Sequence, residues 1–337
     1  MPLRERDLIA RIAGAAGNVT FESRRHKLSP KIGGGVIQGI GDDCAVLRVP
    51  VREDLLVTTD LSIEGVHFRR EWHPPESVGH RCLARGLSDV AAMGGTPFAA
   101  FVSLALPAKI SQSWVDSFFR GLLKLARQFN TTLAGGDTSR SPSGVFADIV
   151  VLGSAPKNNA ILRSGARPGD RVYVTGALGA SAASVDILFK KRQRLDPNRF
   201  RAHFFPTTRI RVAKLLREKR IPSAMIDISD GLSTDLDHIC EMSRVGAEVF
   251  TEKIPVAKIG TPAKPVGLDF ALNGGEDYEL LFTASRNREV PRSISGVKIT
   301  CIGEIISKRQ VFLVDESGSR SKLKVRGWEH FRNFPAR

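Results

Sequence analysis

Apolar positions recur at two spacings along this 337-residue chain, and the places where one spacing gives way to the other mark out its elements. Residues 3 to 15 interleave charged and apolar side chains as an amphipathic helix does. From Pro75 to Met93, Val78, Cys82, Leu83, Leu87, Val90 and Ala91 return at helical intervals, and Gly94-Gly95 predicts the stop. A second amphipathic helix is predicted over 112 to 129. Elsewhere in this half the pattern is that of strands: one around 36 to 47, "DLLVTTDLSIEGVHF" by alternation and β-branched content, "FAAFVSLALP" as a buried strand, "TTLAGGDT" as a strand running into a loop, and "FADIVVLGSAP".

A second α/β unit opens near residue 160. "RPGDRVYVTG" reads as a turn into a strand, "ALGASAASVDILFKK" and 207 to 219 as helices, and "SAMIDISDGLSTDLDHICEM" as a strand entering a helix through an aspartate-rich turn. The strands "AEVFTEKI", "DYELLFTA", "VKITCIGEI" and "QVFLVD" follow. Proline and asparagines interrupt the pattern in "SAPKNNAI", so the expected domains are 1–157 and 158–337. The expected class is α/β, or α+β in two domains, and the length suffices for two cores of ordinary size. An echo between "LAGGDTSR" and "LNGGEDYE" is too short to indicate duplication.

Composition narrows the class without naming a function. Hydrophobic residues make up 42% and charged residues 25%, as in a soluble globular protein. No apolar run approaches the ~18 residues of a membrane span, and the N-terminus lacks the pattern of a signal peptide, so a cytoplasmic location is expected. Cys44, Cys82, Cys240 and Cys301 are widely spaced with no C-x-x-C pair, which argues against a zinc site or a disulfide framework. The formal charge of +15 raises nucleic acid or an anionic small substrate as a partner. The densest basic stretch, residues 190 to 220, carries Phe200, Phe204 and Phe205 but no RNP-type motif or G-x-x-G clamp, so a solvated basic face is the expectation and specific nucleic-acid binding is not.

Against that positive background the placement of acids is informative. Asp42 and Asp43 lie in "GIGDDCA", Asp60 in "TTD", Asp89 in "LSDVAAMGG", Asp137 in "GGDT", Asp227 and Asp230 in "DISDG", and Glu276 with Asp277 in "GGED". Taken singly, each aspartate reads as a turn former or helix cap, and Asp230 as the cap of the helix opening at Gly231. That reading does not explain Asp60 inside a strand or Asp89 within small apolar residues. Five or more carboxylates gathered from loops would repel one another and any phosphate unless divalent cations joined them. All-oxygen ligands with hydroxyls nearby, at Thr58, Thr59 and Ser229, suit Mg²⁺ held together with nucleotide phosphates. Phosphoryl transfer or nucleotide hydrolysis follows as the expected chemistry. P-loop, Rossmann and protein-kinase motifs are absent; "VTGALGASAAS" either offers helix amides to an anion or uses its glycines for close packing.

The motifs "GIGDDCAVL", "TTDLSIEGVHF", "LSDVAAMGGTP", "LAGGDTSRSP", "RSGARPGDRVYVTG", "IDISDGL" and "GGEDYELLFT" occur in the order and approximate spacing of the thiamine-monophosphate kinase family. The chain resembles that family from about residue 36 to "RGWEHF", within the superfamily of aminoimidazole ribonucleotide synthetase and selenophosphate synthetase. The resemblance implies ATP-dependent phosphorylation of thiamine monophosphate to thiamine diphosphate. It also implies a homodimer whose N-terminal sheets pair into a barrel, an N-terminal domain for ATP, Mg²⁺ and dimerisation, and a C-terminal domain closing over a nucleotide held between the two. By the same resemblance Asp43, Thr58, Thr59, Asp60, Asp89, Asp137, Asp227 and Asp230 fall on Mg²⁺-binding positions. Gly136, Asp137, Arg163 and Ser229 fall on ATP-contacting positions, and His67, Glu276 and Trp328 on positions that contact the substrate. Asp42 is then a neighbour of the ligand Asp43. No acid or base is implied; Arg163 and the metal ligands stabilise charge. Relatives within the superfamily fit less well: the first cysteine lies inside the acidic motif, the chain ends "NFPAR" without a cysteine, and "GGEDYEL" with "RGWEHF" disfavours the purine-pathway synthetase. A nucleotide- or RNA-binding relative without catalysis would not need so many costly carboxylates.

Overall fold

The computed structural model describes residues 5–16, 35–40, 44–191 and 194–327, and the chain divides into two compact units, Met1–Ala160 and Ile161–Arg337. The first opens with helix α1 (Glu5–Ala16) and a short antiparallel pair, β1 (Gly35–Gln38) and β2 (Val46–Arg48), where a single strand was expected. Its body is a four-stranded mixed sheet of β3 (Glu53–Ile63), β4 (Thr96–Pro107), β5 (Thr132–Ser141) and β6 (Phe146–Pro156) in the order β3-β6-β4-β5, with only β4 and β5 parallel.

Helices α2 (Pro75–Ala92) and α3 (Gln112–Gln128) connect the strands, and α2 packs on one face of the sheet. The two helices approach to backbone contact: a Cβ on Gly79 would lie 1.9 Å from the Phe118 carbonyl oxygen, and one on Gly121 equally close to that of Glu76. Only glycine permits that crossing. Strand β3 stops at Ile63 instead of continuing to Phe68, because Gly65 turns the chain at φ +88° and the Gly65 N–H bonds the Phe68 carbonyl. Strand β5 does the opposite. It runs on through "GGDT" to Ser141, since parallel pairing with β4 carries it past the glycines.

The second unit contains β7 (Arg171–Thr175), α4 (Ala180–Lys191), α5 (Arg201–Phe204), α6 (Ile210–Glu218), β8 (Ala224–Asp227), α7 (Leu232–Ser243) and β9 (Gly246–Phe250). A small hairpin, β10 (Lys258–Ile259) with β11 (Lys264–Pro265), and helix α8 (Leu268–Asn273) lead into β12 (Leu280–Ala284), β13 (Ser293–Ile294), β14 (Val297–Ile306), β15 (Val311–Val314) and β16 (Arg320–Lys322). The sheet order is β16-β15-β9-β14-β7-β12-β8, with β13 attached to β14. Strands β7, β8 and β12 are apolar on both faces and almost wholly buried, the pattern of central strands. Among the described residues no helix is long and apolar enough to cross a membrane.

Candidate functional site

In the first unit, alternation along β3 sends neighbouring side chains to opposite faces of the sheet. Thr58 and Asp60 turn toward α2, which brings Asp89 to meet them. The Thr58 hydroxyl donates to Asp89 Oδ2, and Arg85, one turn earlier on α2, donates to the Leu61 carbonyl at 3.0 Å. Burial and the neighbouring Asp89 carboxylate push the Asp60 carboxyl up to about 7, while Arg85 pulls it back in part; the proton belongs to the Asp60–Asp89 pair. Thr59 faces the other way and donates to Asp148 Oδ1 at 2.8 Å. On that same open face the register aligns Asp137 of β5 with Ser103 of β4, and Ser103 with Asp148 of β6. Gly136 stands where a Cβ would meet the Val102 carbonyl oxygen at 1.9 Å. The expected first-unit ligands therefore divide into a covered set, Thr58, Asp60 and Asp89, and an open set, Thr59 and Asp137, whose face also carries Asp148. Asp148 was hidden by its setting, a lone acid on the polar side of an apolar strand.

His67 lies in the turns after β3. The Nδ1 of its half-buried ring accepts from the Ile63 N–H at 3.0 Å, and its backbone carbonyl accepts from the Arg81 guanidinium at 3.4 Å. Asp42, Asp43 and Trp328 lie outside the described residues.

In the second unit, "IDISDG" and "GGEDYE" are stitched together through backbone. The Glu276 N–H donates to the Ser229 carbonyl at 2.7 Å, Tyr278 N–H to Ile228 at 2.9 Å, and Ile228 N–H to Glu279 at 2.7 Å. This places Ser229, Asp230 and Glu276 on two adjoining loops, with Asp227 at the end of β8 that leads into the first. Asp230 does not cap α7. Asp235, in the first turn of that helix, instead reaches back to accept from the Asp230 and Gly231 N–H groups at 3.2 and 3.1 Å. Burial, with Asp227 and Asp230 close by, raises the Asp235 carboxyl well above the ordinary range. The "VTGALGASAAS" alternative also resolves. The first amides of α4 bond the buried Asp277 carboxylate, from Gly179 N–H at 2.7 Å, and a Cβ on Gly179 would collide with Ala271 N at 2.7 Å, so that helix start is occupied from within the chain. Arg163 is exposed, and its carbonyl accepts from Ser243 Oγ at 3.3 Å; no described contact brings its guanidinium to the "DISDG" turn.

Among the described residues no group of three or more His, Cys, Asp or Glu side chains is arranged to hold a metal ion. The donor sets nevertheless fit a hard divalent cation, because they are all-oxygen and bring carboxyl groups close enough to raise the pKa of Asp60 in one unit and of the neighbouring Asp235 in the other. Asp60 and Asp89, with the Thr58 hydroxyl, are the candidates in the first unit, and Asp227 and Asp230 in the second.

Comparison with known proteins adds the family. The AIR synthase related protein N-terminal domain matches residues 41–155, and its C-terminal domain matches 167–316. The thiamine-monophosphate kinase of Escherichia coli K12 is 37% identical over 303 residues, covering 87% of this chain and 91% of the relative. The chain belongs to the thiamine-monophosphate kinase family. A relative of that name from Bacillus subtilis is 33% identical over 91% of the chain and 98% of its own length. A crystal structure of thiamine-monophosphate kinase from Stenotrophomonas maltophilia superposes with a TM-score of 0.77 at 30% identity, covering 95% of this chain and 99% of that one. The structure described as AaThiL complexed with AMPPCP and TMP does so with 0.74 at 30%, covering 98% and 99%. The expected family and two-domain fold are thus borne out.

The like-charge pair has a measurable cost. With its folded-state pKa near 7 against an ordinary 3.8, Asp60 takes up a proton on folding, so stability falls as pH rises through that interval. In metal-free protein, Asp60→Asn is expected to raise the unfolding free energy by about 1–3 kcal/mol at pH 8 and by less at pH 5, with a matching rise in the thermal midpoint. Adding Mg²⁺ should stabilise the wild type and leave the variant nearly unmoved. A variant less stable than wild type at both pH values would show that the carboxylate is satisfied without a cation.

Proposed function

We propose that the chain transfers the γ-phosphoryl group of ATP to thiamine monophosphate, giving thiamine diphosphate and ADP. The observation that carries this reading is the likeness over 98% of the chain to a structure holding AMPPCP and TMP, supported by carboxylate sets that suit a polyphosphate bound with Mg²⁺. Mg²⁺, when bound, neutralises phosphate charge and aligns donor with acceptor.

The chain's own residues supply positioning. Thr58 fixes the Asp89 carboxylate, Arg85 moderates the charge of Asp60, and the stitched loops of the second unit present Ser229, Asp230 and Glu276, with Asp227 at the end of β8. Asp43 and Asp137 complete the proposed ligands; Thr59 lies on the same open face as Asp137 but is separated from it by β6 and β4. Gly136, Asp137, Arg163 and Ser229 are the proposed ATP contacts, and His67, Glu276 and Trp328 the substrate contacts. The acceptor oxygen of a phosphate monoester is ionised near neutral pH, so no general base is required. That oxygen attacks the γ-phosphorus, a new P–O bond forms, the bond to the β-phosphate oxygen breaks, and ADP leaves with the electron pair.

The sheet of the first unit supports a homodimer. Strand β3 is an eleven-residue edge, and its open face carries Leu55 at 48%, Val57 at 61% and Leu61 at 53% exposure, with Phe146 beside them at 36%. Such a surface is a liability in a monomer and a ready interface for a second copy. We assign it to sheet-to-sheet pairing into the dimeric barrel that the family resemblance implies. A cytoplasmic enzyme with no membrane attachment is the corresponding setting.

A coupled assay of ATP turnover tests the activity with thiamine monophosphate, thiamine and aminoimidazole-pathway substrates side by side. Turnover is expected with the first alone, and Asp60→Asn and Asp227→Asn should each lose about a hundredfold or more. No label should stay on the protein from γ-labelled ATP. Turnover with the purine-pathway substrate, or undiminished variants, would contradict the assignment. For the dimer, light scattering should give twice the chain mass for wild type and the chain mass for Val57→Lys/Leu61→Lys; a monomeric wild type would exclude it.

A further inference from the structure

We propose that Arg209, in the basic segment, is a positioning residue for the loop that presents Glu276 to the phosphate acceptor. This rests on the reading of Glu276 as a substrate contact. The loop from Gly274 to Glu279 joins α8 to β12 and is held in a conformation that side chains seldom adopt: Glu276 lies at φ +64° and Tyr278 at φ +52°. Backbone of this kind persists only where its surroundings impose it. Here the two acids that flank Tyr278 point inward and act as anchors. Asp277 takes the first amides of α4. Glu279 accepts from the Thr175 hydroxyl at 2.6 Å, from Arg209 Nε at 2.6 Å, and from Arg209 Nη2.

The ion pair is buried, with 17% of the Arg209 side chain exposed and 6% of Glu279. Burial, with Glu279 close by, pushes the Asp277 carboxyl up to about 8, while Glu279 is met directly by the Arg209 guanidinium. A guanidinium meets both carboxylate oxygens at once, which an ammonium does not. Arg201, Arg211 and Lys214 are exposed, whereas Arg209 is turned inward. Its segment makes a second brace on the same region. The buried His203 Nδ1 lies 3.0 Å from Ser181 Oγ, and Ser181 belongs to the turn of α4 whose amides hold Asp277. Residues 200 to 209 thus grip the loop through Glu279 directly and through the start of α4. Glu276, next to the Asp277 anchor, keeps its N–H on the Ser229 carbonyl.

The test compares Arg209→Met and Arg209→Lys with wild type and with Arg211→Met, a control on an exposed position of α6. Hydrogen exchange at the Glu276 and Tyr278 amides should accelerate about tenfold or more in both Arg209 variants, while amides of β3 to β6 stay unchanged. The KM for thiamine monophosphate should rise about ten- to a hundredfold with KM for ATP within about twofold, Lys lying between Met and wild type. If Arg209→Met does not fold, Arg209→Lys carries the test, since it keeps the charge and loses only the fork. Unchanged loop exchange overturns the brace. Faster exchange with an unaltered KM for thiamine monophosphate, or an equal rise in both KM values, overturns the positioning role. Exchange is read without turnover, so a wild type inactive on thiamine monophosphate would remove the substrate assignment while leaving the brace to be decided separately.

Discussion

A carboxylate withdrawn from water beside another carboxylate is among the least favourable arrangements a folded chain can make, and this protein makes it in both units. Asp60 and Asp89 meet under α2; Asp227, Asp230 and Asp235 crowd the turn between β8 and α7. Apolar packing around them explains why they cannot escape: α2 is pressed on the sheet and against α3 at glycine-to-carbonyl contact, and β8 is buried along its length. The chain relieves part of the repulsion with its own groups, Arg85 in one unit and the helix amides that Asp235 caps in the other. What is left over is suited to a cation that arrives with the substrate.

The same economy of donors shapes the rest of the second unit. Asp235 and Asp277 there meet helix-start amides, and Glu279 pairs with a buried arginine. Each of these removes a carboxylate from the candidate ligands and leaves Asp230 and Glu276 on the two stitched loops, with Asp227 at the end of β8. The loop that carries Glu276 is held by those anchors. Phosphoryl transfer makes few covalent demands, so precision of placement is the protein's main contribution.

Much of the fold is legible in the chain because strong periods write it twice. The helices of residues 75 to 92 and 112 to 128, and the strands from Phe146 and Arg171, have both apolar spacing and glycine or proline punctuation. The expectations that failed were those in which punctuation and pairing disagreed. "GGDT" reads as a loop from its glycines, yet β4 pairs it as strand through Ser141. The cap weighed as an alternative for Asp230 is a task that Asp235 performs from inside the helix. In the site, residue types pointed to shared chemistry but not to orientation. Thr58 and Thr59 are adjacent in sequence and face opposite sides of a sheet. The pairs Thr59–Asp148 and Arg209–Glu279 join residues far apart in the chain, and no local pattern announces either one.

The charge of +15 is compatible with this scheme without being explained by it: the substrates are anions, and a positive field speeds their approach. The central claim is that buried acids accept a polyphosphate only through a divalent cation. Calorimetric titration of the protein with AMPPCP, in EDTA and then across a Mg²⁺ series, measures this most directly. The account predicts no detectable binding in EDTA and an affinity that climbs with Mg²⁺ until the sites fill. Equally tight binding in EDTA would contradict it.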